Sequence, residues 1–289
     1  MKKSTKTTLK IILLVIGLLV VAVGIRTYRR NHAEIPDTSQ TSEIKTAFNI
    51  RYDTKDSLQF ADFYIPAEKS STLLIIVHGG GWITGTKKDF SDVSNFFVEK
   101  GYVVANIDYR LAPKWKYDSQ LQDIAAVLKL ADAQKTKLKL KNGYKIALMG
   151  HSAGGQLVSI FSLKENDYGT KNVDYCIGLA GPYNLNLMGI KKPLVEKALI
   201  NFLGNFTQDE ASPAKQVKEG ETTKFLLLLG ASDEMVPEQQ LTEFKDALTA
   251  KKAYVETYMI PWRTHESLYT NIPFTGNEVA EKILKFLEL

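Results

Sequence analysis

The chain has 289 residues, 44% of them hydrophobic and 24% charged. That suits one large domain or two small ones with a genuine core, and excludes a disordered or low-complexity protein. The formal net charge of +5 is unevenly held: residues 1–30 contain seven lysines and arginines and no acid, so the other 259 residues carry −2, and the bulk of the chain gives no electrostatic reason to bind nucleic acid.

In chain order, a basic stretch from Lys2 to Lys10 precedes an apolar run from Ile11 to Ile25, closed by Arg26-Thr27-Tyr28-Arg29-Arg30. Fifteen helical residues span about 22 Å, short of the roughly 30 Å hydrocarbon core unless Leu9 and a snorkelling Lys10 extend the run. One reading is a signal peptide cut after Ala22-Val23-Gly24. The other, favoured by the basic cluster after the run, is an uncleaved membrane anchor. Both put the bulk of the protein outside the cytoplasm. Residues 31–45 are mostly polar, without hydrophobic period, and read as a linker in which His32 is solvated.

Strand patterns follow at Ala47–Tyr52 and Leu58–Ile65, then a continuous apolar run, Leu73–Val77, of the kind buried on both faces of a parallel sheet. A helix is expected over Lys88–Lys100, a strand over Tyr102–Ile107, and an amphipathic helix over Ser119–Ala133. Beyond the apolar run Tyr144–Met149, further strands are expected at Tyr175–Ala180, Phe225–Leu229 and Tyr254–Ile260, with helices at Pro237–Ala250 and Asn277–Leu287. This alternation predicts an α/β fold with a doubly wound, mostly parallel sheet in one domain, residues 46–289. The interval 183–213 breaks it. With a helix from Pro193 to Leu203, it reads as a small insertion over the C-terminal sheet edge, where ligands bind, or as a surface excursion without a role. Cys176, the only cysteine, lies in a mostly apolar run and reads as core.

The chemistry centres on Gly150-His151-Ser152-Ala153-Gly154-Gly155, a G-x-S-x-G pattern between a strand and a helix start. Many such matches are ordinary turns; in this context the pattern describes a sharp turn that exposes a serine hydroxyl. A serine needs a base, and the base needs an acid to orient it. The histidines are His32, His78, His151 and His265, and only His265 follows Ser152, as the order serine, acid, histidine requires. Asp233, after the strand Phe225–Leu229, is the expected acid, with Glu234 its nearest substitute. Gly79-Gly80-Gly81 after a buried strand suits an oxyanion hole built from the N–H groups of Gly80, Gly81 and Ala153; no G-K-[ST] follows, which argues against a phosphate loop. His78 is expected to brace that loop, His151 to be structural, and Trp82 either to line a substrate pocket or to sit in the core.

The segments His78-Gly79-Gly80-Gly81-Trp82, Asp108-Tyr109-Arg110-Leu111-Ala112-Pro113, Gly150 to Gly155 and Gly230-Ala231-Ser232-Asp233-Glu234-Met235-Val236-Pro237 together resemble the α/β-hydrolase superfamily. Within it the likeness is to carboxylesterases and lipases related to hormone-sensitive lipase and to bacterial feruloyl-esterase-like enzymes. It runs from about Thr46 to Leu289. It implies Ser152 as nucleophile, His265 as base, Asp233 as acid and Gly80, Gly81 and Ala153 as oxyanion hole, with Asp108 and Arg110 anchoring a nearby loop. Two departures are His151, where those relatives usually carry aspartate, and the lack of a two-helix N-terminal cap. The expected activity is cleavage of small-molecule carboxylic esters through an acyl-enzyme, without metal or organic cofactor. An amidase or peptidase with the same triad, or a non-catalytic binding module on the same fold, are the alternatives. Oligomeric state is open.

Overall fold

The computed structural model describes residues 34–35, 43–188 and 193–289. The expected membrane segment, 1–30, and most of the expected linker, 31–45, lie outside the described residues. Among the described residues, no helix is long and apolar enough to cross a membrane. Ile35, within the expected linker, is buried in the domain core, so that part of the segment lies against the domain.

Eight strands form one sheet in the order β1-β2-β4-β3-β5-β6-β7-β8. They are β1 Lys45–Arg51, β2 Phe60–Ile65, β3 Ser70–Val77, β4 Val103–Ile107, β5 Leu140–His151, β6 Tyr175–Leu179, β7 Lys224–Gly230 and β8 Val255–Ile260. Antiparallel pairing joins β1 to β2 and β2 to β4; every other pair is parallel. The uninterrupted apolar runs occupy the middle: β4 and β6 are buried throughout, and β3 has one exposed residue. Edge strand β8 is mostly half-buried.

Helices return between the parallel strands, as a parallel ladder requires. The principal ones span Ser91–Glu99, Tyr117–Ala133, Ala153–Ser162, Glu238–Ala250 and Glu278–Phe286. In the last, Val279, Ala280, Ile283 and Phe286 form the buried stripe. Its start is fixed by Asn277, whose side chain accepts from the N–H groups of Val279 and Ala280 at 2.9 and 3.1 Å. The interval 183–213 carries helices Pro193–Leu203 and Gln208–Ala211.

Register sets where the loops emerge. Val77 pairs with Gly150, so the glycine loop after β3 leaves the sheet beside the turn after β5. Gly230 pairs with Ile260, so the loops carrying Asp233 and His265 leave side by side two strands further on.

Beside this edge lies a buried ion pair. The Arg110 Nε donates to both Asp123 oxygens at 2.9 and 3.0 Å, Arg110 N–H adds a third bond at 2.8 Å, and Gln59 Nε2 a fourth at 2.7 Å. The two charged side chains are 2% and 0% exposed, so removing one strands the other away from water. Asp123→Ala is expected to cost about 3–5 kcal/mol of unfolding free energy, read from urea denaturation. A loss under about 1 kcal/mol, the worth of an exposed pair, would contradict this account.

Candidate active site

Strand β5 ends at His151, and the next helix begins at Ala153. Ser152 makes the turn between them with φ 53° and ψ −120°, a conformation a side chain adopts only when its surroundings hold it there. One restraint is the Ser152 N–H, which donates to the Leu179 carbonyl at 2.8 Å.

His265 is buried on the loop after β8, and its Nδ1–H donates to Asp233 Oδ2 at 2.8 Å. The other Asp233 oxygen accepts from the N–H groups of Met235 and Val236 at 2.8 and 2.9 Å. Burial pushes the Asp233 pKa up, but the His265 ring and the backbone donors outweigh it and hold the carboxyl below its usual value. Glu234 makes no such contact with His265; it lines a neighbouring cavity. Ser152 joins the pair by sharing a cavity of about 380 Å³ with His265. The His265–Asp233 contact is a direct hydrogen bond; among the described residues, none links Ser152 to His265.

The N–H groups of Gly80, Gly81 and Ala153 have no protein acceptor among the described residues. Gly80 has φ 110°, and a Cβ there would lie 2.2 Å from the Thr84 carbonyl oxygen, so no other residue fits this loop. His78 braces it from behind. Its ring stacks on Tyr109 at 4.3 Å, and the Tyr109 hydroxyl donates to the His78 carbonyl at 3.1 Å. Asp108 accepts from the Thr86 hydroxyl and the Lys87 N–H at 3.1 and 2.7 Å, which ties down the end of the same loop.

Trp82 is buried in the core, and it also forms a wall of a second cavity of about 520 Å³ that opens on Ser152. Its ring stacks on Phe202 of helix Pro193–Leu203 at 4.4 Å, and its Nε1–H donates to Gln156 Oε1 at 2.9 Å. Gln156 in turn donates through Nε2 to the Ala211 carbonyl at 2.7 Å. Leu194, Val195 and Ala198 of helix Pro193–Leu203 line this cavity too, and Met235 lines both. Sequence reasoning passed over Gln156, Phe202 and Met235; only Met235, two residues beyond Asp233, carried a positional hint.

His151 is tied to the loop of His265. Its Nε2–H donates to the His265 carbonyl at 2.9 Å, and its ring lies 4.5 Å from both the His265 and Tyr269 rings. Cys176 is buried, and burial pushes its thiol pKa up to about 12, as a core cysteine. Among the described residues, no group of three or more His, Cys, Asp or Glu side chains is placed to hold a metal ion.

The mostly parallel sheet, the turn serine and the hydrogen-bonded histidine–aspartate pair define an α/β-hydrolase related to carboxylesterases. The BD-FAE family model matches residues 61–248, more than half of the chain, and the chain belongs to that family. A probable isoprenylcysteine alpha-carbonyl methylesterase of Arabidopsis thaliana is 26% identical over 239 residues, covering 75% of this chain and 56% of the relative. Esterase LipC of Mycobacterium tuberculosis is 26% identical over 203 residues, covering 63% and 49%. The chain thus spans about half the length of these curated relatives. Among solved structures, esterase B of Lactobacillus rhamnosis superposes with a TM-score of 0.73 at 20% identity, covering 96% of this chain and 94% of that one.

The buried His151 predicts a pH dependence of stability. Burial, and then the nearby His265 ring, push its pKa from 6.5 down to about 3. In the unfolded chain the same ring takes a proton below about pH 6.5. The stability tied to its neutral form is therefore complete above about pH 6.5 and is lost as pH falls toward 3, by at most about 1.4 kcal/mol per pH unit. Urea midpoints are expected to drop between about pH 7 and about pH 4. His151→Gln is expected to flatten that drop, leaving the contribution of His78, which burial also shifts downward. An unchanged slope in the variant would remove His151 as the source.

Proposed function

We propose that the protein is a serine carboxylesterase in which Ser152 is the nucleophile, His265 the base and Asp233 the acid. The observation that carries this reading is the His265–Asp233 hydrogen bond at 2.8 Å, beside a turn serine and three N–H groups without protein acceptors. Support for ester substrates comes from the related esterases, two of which are described above.

In this mechanism Ser152 Oγ attacks the ester carbonyl carbon while its proton passes to His265 Nε2. Asp233 Oδ2, accepting from Nδ1–H, keeps the proton on Nδ1 in the resting ring and stabilises the imidazolium. The carbonyl oxygen, now negative, takes up hydrogen bonds from the N–H groups of Gly80, Gly81 and Ala153. His265 then hands its proton to the departing alcohol oxygen, leaving an acyl group on Ser152. A water, deprotonated by the same ring, attacks the acyl carbon; the ring then returns the proton to Ser152 Oγ as the acyl–Oγ bond breaks and the carboxylic acid leaves. We read residues 183–213 as a cap over this site. We read residues 1–30 as a membrane anchor that places the domain outside the cytoplasm, from the apolar run Ile11–Ile25 between basic flanks.

Hydrolysis of p-nitrophenyl esters tests the triad. Ser152→Ala is expected to lower kcat by about 10³-fold or more, and Asp233→Asn by a similar factor through loss of the correct tautomer. Retained turnover in a folded Ser152→Ala protein would refute the assignment. Turnover of small amides in place of esters by the wild type would move the reaction to amide bonds with the same residues. The anchor is tested by fractionation: the full chain is expected to stay with membranes through an alkaline carbonate wash, and release into the supernatant would refute it.

A further inference from the structure

The two cavities that meet at Ser152 differ in one decisive respect. Ser152 and Gly81 line both, but His265 lines only the smaller. In ester cleavage the proton taken from Ser152 must reach the oxygen of the departing alcohol, and only His265 carries it there. The alcohol half of the substrate must therefore lie on the His265 side, and the acyl half, which stays bonded to Ser152, must lie on the other. This step rests on the serine-esterase reading above.

The walls then specify each half. The larger cavity, about 520 Å³, lies within the roughly 300–1,000 Å³ of small-molecule sites. Trp82, Met188, Leu194, Val195, Ala198 and Val236 give it an apolar lining. Its one buried amide among the described residues, Gln240, is held by Asn184: Oε1 accepts from Asn184 N–H at 2.6 Å and Nε2 donates to the Asn184 carbonyl at 2.9 Å. Among the described residues no lysine or arginine lines this cavity, and its carboxylates are Asp233 and Glu234, so an anionic acyl group finds no partner among them.

The smaller cavity is built differently. Thr84, the glycine-loop backbone, Asp89 and Glu266 surround the His265 ring, over an aromatic floor where Phe90 and Tyr269 stack at 4.4 Å. Asp89 uses one oxygen to accept from the Thr86 N–H at 3.1 Å. Both carboxylates are at the exposed rim and, among the described residues, no lysine or arginine lines the cavity, so an anionic alcohol is repelled, while hydroxyl groups find acceptors.

We propose that the substrates are esters of apolar acyl groups with polar, non-anionic alcohols, the acyl group under helix Pro193–Leu203 and the alcohol between the glycine loop and Glu266. Helix Pro193–Leu203 thus selects the acid and Glu266 the alcohol, and the two selections are separable.

The test uses the full chain and two ratios of kcat/KM: hexanoyl over acetyl p-nitrophenyl ester, and the butyryl ester of glycerol over that of glycolate. Both are measured on turnover that Ser152→Ala abolishes, so a failure here leaves the esterase reading standing. Ala198→Phe, which fills the larger cavity, is expected to lower the first ratio about tenfold and leave the second within about twofold. Leu194→Asp, at a position 83% exposed where folding tolerates the change, is expected to act in the same direction. Glu266→Lys is expected to lower the second ratio about fivefold, less so at high salt, and to leave the first unchanged. The proposal is overturned if the acyl-side variants move the alcohol ratio, if Glu266→Lys moves the acyl ratio, or if neither ratio responds to its own variant.

Discussion

The turn at Ser152 depends on how closely the helix behind it approaches the end of the neighbouring strand. A Cβ on Gly154 would fall 2.1 Å from the Val77 carbonyl oxygen, inside any possible contact, so the helix Ala153–Ser162 starts directly against β3 only because residue 154 has no side chain. That approach brings the Ala153 N–H beside the loop that leaves β3, where Gly80 and Gly81 supply two further unpaired donors. The positive φ of Ser152 is the backbone's answer to the same crowding: the chain must reverse within one residue, and the serine hydroxyl is left facing the cavities. Sheet register supplies the rest. Because Gly230 pairs with Ile260, Asp233 and His265 arrive together, and a slip in that pairing would separate them.

Around this centre the protein places charges where they hold loops. Lys87, buried, donates to Asp62 at 2.9 Å and to Asn49 at 3.1 Å, while its N–H holds Asp108. Arg110 and Asp123 anchor the segment that follows. Such pairs add little net stability relative to apolar packing, but breaking one leaves an expensive charge behind, and so they fix geometry. His151 acts in a related way, through an uncharged ring: its bond to the His265 carbonyl spans from the turn at Ser152 to the loop of His265, so the two backbones are tied to each other as well as to the sheet.

How much of this the sequence discloses depends on whether the signal is local. The runs Leu73–Val77 and Phe225–Leu229 announce buried strands because they are apolar on every residue, and β3 and β7 lie there. His265 is identified by order along the chain, and Asp233 by the strand before it. The structure then separates Asp233, bonded to His265, from Glu234, which is not. Contacts that depend on distant partners are not legible. Nothing near His151 indicates a carbonyl 114 positions away as its acceptor. Nothing in Trp82 or Phe202 alone indicates that they stack. The polar character of residues 31–45 conceals that Ile35 is buried, since one apolar residue has no period to show. The antiparallel pairing of β1 and β2 was equally hidden, because alternation marks a strand and not its direction.

Gln156 couples regions that chain order keeps apart. Its amide oxygen is committed to Trp82 on the glycine loop and its amide nitrogen to the Ala211 carbonyl at the foot of the insertion. Turning that amide over would set N–H against N–H and carbonyl against carbonyl, losing both bonds at once, so the group has a single orientation. Any shift of the insertion's foot therefore changes the free energy of the indole's hydrogen bond, and the reverse holds equally. The cavity wall at Trp82 and the end of the insertion are thus linked, connected through one neutral side chain on helix Ala153–Ser162.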